Sequence, residues 1–136
     1  MIKLSIVTPK KIVRSVEVSS LTAPSADGEI TVLPHHRPLL ALLTEGIVTY
    51  RTGGVEESLA IGGGYLQTDG KIIQIIVSRA YGQDEIDEKL TAEAMTRAQE
   101  LLKSSPEAAN RAEAQSMLRR SVIDSKLLKR RAHRSS

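Results

Sequence analysis

The chain has 136 residues, with no cysteine, tryptophan or phenylalanine and only three tyrosines. These absences exclude disulfides and thiolate metal sites and leave almost no aromatic surface on which nucleobases could stack, so the core must be aliphatic. The net charge of +3 is unevenly spread: residues 1–83 carry eight basic and seven acidic side chains, residues 84–106 three and six, and residues 107–136 eight and three. A basic tail of this kind suits nucleic acid, anionic lipid or an acidic protein surface.

From Ile2 to about Ser78 the apolar positions follow a period of two, with turn residues roughly every ten, the pattern of a half-buried antiparallel sheet. Ile2, Leu4 and Ile6 alternate with Lys3, Ser5 and Val7, and Val13, Val16 and Val18 add β-branched positions. Ala26-Asp27-Gly28, Thr52-Gly53-Gly54 and Thr68-Asp69-Gly70 each supply glycine where a tight turn needs positive φ. The Asp69-Gly70 pair, between Tyr65–Thr68 and Lys71–Val77, predicts a hairpin. Pro34 and Pro38 cannot donate to a ladder and bracket an irregular loop or edge segment. Short strands at this spacing predict a sandwich or flattened barrel.

After Gly82 no glycine occurs in the remaining 54 residues, and Ala, Glu, Lys, Arg and Leu rise to a helical composition. Asp84 or Asp87 caps a first helix whose apolar stripe is Leu90, Ala94, Ala98, Leu101 and Leu102. Ser105-Pro106-Glu107 reads as N-cap, first helical position and a carboxylate at the positive helix end. A second helix is predicted from Pro106 to about Lys129, with Ala108, Ala112, Leu118, Val122 and Ile123 as buried candidates. The expected organisation is a mainly β sandwich or flattened barrel over residues 1–82, followed by an antiparallel α-helical hairpin with a basic tail over residues 83–136. An alanine-rich stripe buries little area, so the hairpin is held weakly against the cost of ordering it, about 1–2 kcal/mol per residue.

The chemistry-bearing motifs are few. His35-His36 are adjacent and point apart, His133 is remote, and no carboxylate pair completes a tetrahedral metal set. Gly62-Gly63-Gly64 lacks the Lys-Ser/Thr of a phosphate loop and sits between strands, so it reads as a bulge or a close backbone approach. No nucleophile sits in a recognisable catalytic context, and no cofactor is expected. Arg119, Lys126 and Arg130 fall on one helical stripe. No run approaches the roughly 18 consecutive apolar residues of a membrane span, and Met1–Pro9 alternates rather than following a signal-peptide pattern; a cytosolic side is expected.

Two ordered blocks carry a family resemblance. Asp27-Gly28-Glu29-Ile30-Thr31-Val32-Leu33-Pro34-His35-His36-Arg37-Pro38-Leu39-Leu40, followed by Gly46, resembles the signature of the epsilon subunit of F-type ATP synthases. Gly62-Gly63-Gly64-Tyr65-Leu66 and Ala80-Tyr81-Gly82-Gln83-Asp84-Glu85-Ile86-Asp87 stand where that family has its second glycine cluster and its junction. The resemblance implies a non-catalytic rotor subunit of a bacterial or plastid enzyme, coupling proton translocation to ATP synthesis. It implies that His36 meets the γ subunit and Glu29 the c-ring. It also implies that Arg119, Lys126 and Arg130 meet an acidic loop of the α/β hexamer when the hairpin extends and inhibits ATP hydrolysis. The family's ATP motif is degenerate: Ile86 and Asp87 are present, but Leu90 and Thr91 replace arginine and alanine. Membrane association would be indirect, through the complex, at the cytoplasmic face of the bacterial inner membrane or the stromal face of the thylakoid. The alternative is a small nucleic-acid-binding β-barrel with a basic helical tail, against which stand the missing aromatics and a sheet domain that is almost neutral.

Overall fold

The computed structural model describes residues 1–104 and 108–134, with side chains described for residues 1–104 and 111–130. The chain divides into two compact units, Met1–Gly82 and Gln83–Ser136. In the first, ten strands form one continuous sheet: β1 Ile2–Val7, β2 Ile12–Val18, β3 Ser20–Ser25, β4 Gly28–Val32, β5 Leu39–Leu43, β6 Gly46–Thr52, β7 Val55–Ile61, β8 Gly64–Thr68, β9 Ile72–Val77 and β10 Ala80–Tyr81. The pairing gives two five-stranded layers, β5-β8-β9-β1-β2 and β10-β7-β6-β3-β4, joined where Ser25 of β3 pairs with Leu43 of β5. The expected sandwich or flattened barrel is present. One pairing departs from the antiparallel expectation: β1 runs parallel to β9, Lys3 opposite Ile72 through Val7 opposite Ile76. Alternation specifies which face is buried and is blind to strand direction.

The period of two puts one side chain in two inward, and all ten strands contribute to a single apolar cluster. It includes Ile2, Leu4, Ile6, Leu21, Val32, Leu59, Ile61, Leu66, Ile73 and Ile75. Its one large polar member is Tyr50, whose hydroxyl donates to Glu57 Oε2 at 2.8 Å. Burial pushes the tyrosine hydroxyl pKa up, the Glu57 carboxylate pushes it further, and Arg14 of β2 opposes both.

Three of the layer changes lie together at one seam. β7 passes into β8 through Gly62-Gly63, and β9 into β10 through Ser78-Arg79; the two bends are hydrogen-bonded, Gly62 N donating to Arg79 O and Ser78 N to Gly63 O, both at 3.0 Å. A Cβ on Gly62 would stand 2.3 Å from Ser78 Oγ, and one on Gly64 would stand 2.0 Å from Ile76 O. The glycine cluster is therefore a place of close backbone approach. At the same seam β5 turns into β6 through Thr44-Glu45. Thr44 N donates to Pro24 O at 3.0 Å, and Arg79 pairs with Glu45.

The second unit holds a 3-10 turn, Gln83–Glu85, and two α-helices that pack on each other, α1 Glu88–Ser104 and α2 Ala108–Arg134. Asp87 is the N-cap of α1: its Oδ1 accepts from Leu90 N at 2.9 Å, and Asp84 lies in the turn before it. The stripe differs from expectation by one position at its start. Thr91 and Ala98 are buried, Ala94, Leu101 and Leu102 are half-buried, and Leu90 is 61% exposed. In α2 the buried positions are Ala114, Ser121 and Leu127, with Leu118 and Ile123 half-buried, whereas Ala112 and Val122 face water. Thr91 to Ala98 and Ala114 to Ser121 are both steps of seven, two turns along one face, so these levels of the seam are lined by small side chains that a search for large apolar residues overlooks. The helix also continues past Lys129 to Arg134. The readings at Ser105, Pro106 and Glu107, and the side chains of Ala108 and His133, lie outside the described residues.

The seam geometry has a measurable consequence. Gly64→Ala should destabilise the chain by about 1–3 kcal/mol, because its neighbour is backbone and cannot rotate away. Gly63→Ala, whose nearest neighbour is Leu43 O at 3.7 Å, should stay within about 0.5 kcal/mol of the parent. Urea unfolding followed by far-ultraviolet circular dichroism distinguishes them, and equal midpoints for the two variants would contradict the close-approach account.

Candidate functional site

Glu29 lies on β4, opposite Pro24 of β3, with its side chain exposed; Ile30 and Val32 of the same strand turn inward. Pro34 and Pro38 bracket a loop, residues 33–38, that carries His36. Its path is fixed by the β8–β9 turn: His35 N donates to Gly70 O at 3.0 Å, and His36 N to Leu33 O at 3.1 Å. His35 takes φ +67°, a left-handed conformation that costs a non-glycine residue energy and survives where neighbours fix the backbone. Gly70 is needed twice over. Its φ is +94°, and a Cβ there would meet His36 O at 2.6 Å. His36 Nδ1 lies 2.6 Å from Arg37 O. A carbonyl only accepts, so in this contact Nδ1 is the donor.

The turn under this loop is made by Asp69, whose Oδ1 accepts from Lys71 N at 2.9 Å and Ile72 N at 3.0 Å. These backbone hydrogen bonds hold its carboxyl below the ordinary aspartate range.

A second surface was not singled out by sequence reasoning. Residues directly opposite one another across the β5 layer give the outward-facing row Leu42, Tyr65, Ile76, Val7 and Ile12. Leu42 is 70% exposed, Ile12 66% and Tyr65 39%, while Val7 and Ile76 are half-buried; Leu40, also on β5, is 69% exposed. A bulge at the end of the β1–β2 ladder, where Ile6 faces Arg14 and Val7 faces Ile12, returns Ile12 to this outer row. The neighbouring row, Gln67, Gln74, Ser5 and Ser15, is polar from β8 to β2. A signal for the apolar row was present: Leu39-Leu40-Ala41-Leu42-Leu43 and Ile72-Ile73-Gln74-Ile75-Ile76-Val77 are apolar on both faces. Contiguous exposed apolar side chains of this kind mark a protein contact.

In the helical unit Ile86 is half-buried and Asp87 is committed to capping, which gives the two retained residues of the degenerate ATP motif structural employment. Leu90 presents an exposed aliphatic side chain where the motif has arginine. Arg119, Lys126 and Arg130 are exposed on α2, within about 40° of one another around the helix axis at 100° per residue. They are on the second unit, and Glu29 and His36 on the first. Among the described residues no group of three His, Asp or Glu side chains could hold a metal, and no helix is long and apolar enough to cross a membrane.

Residues 1–83 match the family described as ATP synthase, Delta/Epsilon chain, beta-sandwich domain. The ATP synthase epsilon chain of Herpetosiphon aurantiacus is 34% identical over 133 residues, covering 98% of this chain and 98% of its own. The chain belongs to the ATP synthase epsilon family. The epsilon chain of Geotalea uraniireducens is 41% identical over 107 residues, covering 78% of each chain. Among solved structures, a chain of the Euglena gracilis mitochondrial ATP synthase (OSCP/F1/c-ring, rotational state 1) superposes with a TM-score of 0.76 at 22% identity. That match covers 99% of this chain and 81% of that one, and shows a shared fold. The epsilon family thus extends over both the sandwich and the hairpin, and the nucleic-acid-binding alternative is set aside.

The Asp69 turn generates a pH prediction. Its folded carboxyl titrates below the unfolded one, so the stability it contributes is fully present above the ordinary aspartate range and is lost as pH falls through the lowered value. The amide signals of Lys71 and Ile72 should titrate together at that lowered pH and lose exchange protection there. Asp69→Asn, which keeps the accepting oxygen, should hold the turn without the acid transition. An Asn variant that still shows the transition would assign it to another group.

Proposed function

We propose that the chain is the non-catalytic epsilon subunit of the central stalk of an F-type ATP synthase, coupling proton translocation to ATP synthesis. The sandwich binds the γ subunit and the c-ring, and the helical hairpin acts as a conformational brake on ATP hydrolysis. The observation that carries this reading is family similarity over the full chain, to which the exposed apolar row adds a place for γ. The row Leu42–Tyr65–Ile76–Val7–Ile12 supplies the apolar area, and Leu40 continues it along β5 toward the His36 loop. His36 is a polar contact to the same partner, and Glu29, exposed on β4, faces the c-ring.

No nucleophile, phosphate cradle or metal set enters this reading, so ATP turnover belongs to the catalytic hexamer and the isolated chain should show none. The association with the membrane is peripheral, through the complex, on the cytoplasmic face of a bacterial membrane or the corresponding plastid face. Arg119, Lys126 and Arg130 form the contact with an acidic loop of the hexamer. A brake of this kind works only through contacts that the extended hairpin makes and the folded one does not.

Two measurements test the two halves of the reading. Leu42→Glu with Tyr65→Glu should weaken γ capture roughly a hundredfold or more, since each fully buried large apolar side chain is worth about 1.5–3 kcal/mol and 1.4 kcal/mol is a factor of ten. Stability should stay close to the parent, because both side chains already face water. Ser15→Glu, on the polar row, is the control. Undiminished γ capture by the double variant would remove the apolar row from the interface. For the brake, reversing Arg119, Lys126 and Arg130 to Glu should raise ATP hydrolysis by the reconstituted complex while assembly and synthesis persist. Hydrolysis equal to the parent at all ionic strengths would leave these three residues without an inhibitory role.

A further inference from the structure

The start of α1 and the end of α2 are held side by side. Gln83 Nε2 donates to Leu127 O at 2.9 Å, and Leu127 is fully buried, so the 3-10 turn is anchored to α2 across 44 positions of sequence. That anchor brings Asp84, Glu85, Asp87 and Glu88 to the end of the hairpin that carries Lys126, Lys129 and Arg130. All seven side chains are exposed and the two groups are opposite in sign. The apolar contact between the helices is modest at the levels where the buried side chains are Thr91, Ala98, Ala114 and Ser121, so surface charge carries a larger share of the closure than it would between leucine-lined helices.

We propose that the acidic segment Asp84–Glu88 is an electrostatic latch that masks the basic end of α2 and holds the hairpin closed. This rests on the brake reading in one respect: the cations the latch attracts include two of those assigned to the hexamer. Lys126 and Arg130 cannot serve the carboxylates of α1 and an acidic loop at the same time. An acidic partner therefore competes with the chain's own carboxylates, and the set point of the brake is written into residues 84–88. It follows that the two sides of the latch act on hydrolysis with opposite signs. Reversing the basic side removes the contact with the partner, whereas reversing the acidic side releases the cations to it.

Each group also complements the dipole of its own helix, carboxylates at the positive start of α1 and cations at the negative end of α2. A single-sided reversal therefore does not separate the latch from the dipoles, and a charge swap does. The chain has no cysteine, so Ala92→Cys and Val122→Cys, both exposed, take spin labels on the two helices for distance measurement by electron paramagnetic resonance. In the isolated full-length chain the short-distance population should fall as salt is raised. Reversal of Asp84, Glu85 and Glu88 to Lys should shift the open-to-closed ratio by roughly threefold to tenfold, and so should reversal of Lys126, Lys129 and Arg130 to Glu. Combining both sets should restore the closed population above that of either set alone. Dipole complementarity alone makes the combined variant at least as open as the more open of the two, and that outcome, or closure indifferent to salt, overturns the latch. In the reconstituted complex the acidic-side reversal should lower ATP hydrolysis. If the distance measurements show rescue while hydrolysis is unchanged in every variant, the latch stands and the brake reading fails.

Discussion

The first unit depends on how closely β8 approaches β9 at Gly64. With 2.0 Å between a hypothetical Cβ and Ile76 O, no other residue fits without moving the strand that forms the middle of the layer. The bends on either side follow from that approach. Gly62-Gly63 and Ser78-Arg79 turn together, held by paired backbone hydrogen bonds, and the Arg79–Glu45 pair ties in the third crossover. Because the bend is made by backbone contact, the strands enter the β5 layer in a fixed register. Register decides which residues stand opposite one another. The apolar row from Leu42 to Ile12 is a product of that register, since a one-residue slip of any strand would move its member of the row to the core face. A glycine cluster that resembles a phosphate loop in composition thus acts at a distance, by aligning a surface of five strands.

Much of this was legible from residue order. Alternation located most of the strands, Asp69-Gly70 located a hairpin, and the loss of glycine after position 82 located the change to helix. The two signature blocks pointed to the epsilon family, and the family match and full-length relatives agree. The parts that were not legible have physical reasons. Alternation has no sign for strand direction, so the parallel β1–β9 pair was hidden. A pattern search for large apolar residues misplaces a helix seam built from Thr91, Ala98, Ala114 and Ser121, and it put Leu90, Ala112 and Val122 inward when they face water. The apolar row was missed because a strand that is apolar on both faces is ordinarily read as buried on both, and only the layered structure shows which face of β5 has no second layer over it.

The two surfaces on the first unit differ in how they are held, and that difference fits different tasks. The apolar row rests on regular strands whose side chains follow from register. The His36 loop rests on a few specific bonds: a strained His35, a hydrogen bond to Gly70 O, and a turn whose aspartate is held ionised by two backbone amides. Strain at His35 is affordable because the β8–β9 turn fixes the backbone on the other side. A loop built in this way commits His36 Nδ1 to Arg37 O, and under the proposed reading it adds a directional polar contact to the broad apolar one of the row. Broad apolar contact supplies affinity and a directional polar contact supplies orientation, and the proposed contact with γ would use both.

The hairpin follows the opposite logic. The sandwich closes on a cluster made largely of leucine, isoleucine and valine, to which all ten strands contribute, whereas at Thr91, Ala98, Ala114 and Ser121 the helix pair closes on side chains of one to three heavy atoms. Small side chains bring helices close and bury less apolar area than leucines would, so at these levels the helix contact is weaker than a leucine-lined one. A weaker contact is sensitive to terms that would be negligible in a stronger one. Exposed charges worth about 0.2–1 kcal/mol per pair do not decide whether the sandwich folds, but under the proposed latch three or four of them at one end of the hairpin shift the balance between closed and open. The acidic start of α1 and the basic end of α2 are placed where that leverage is greatest. Separation of the helices would also uncover Leu127, which is fully buried between them, so the charges act beside one sizeable apolar contact at that end.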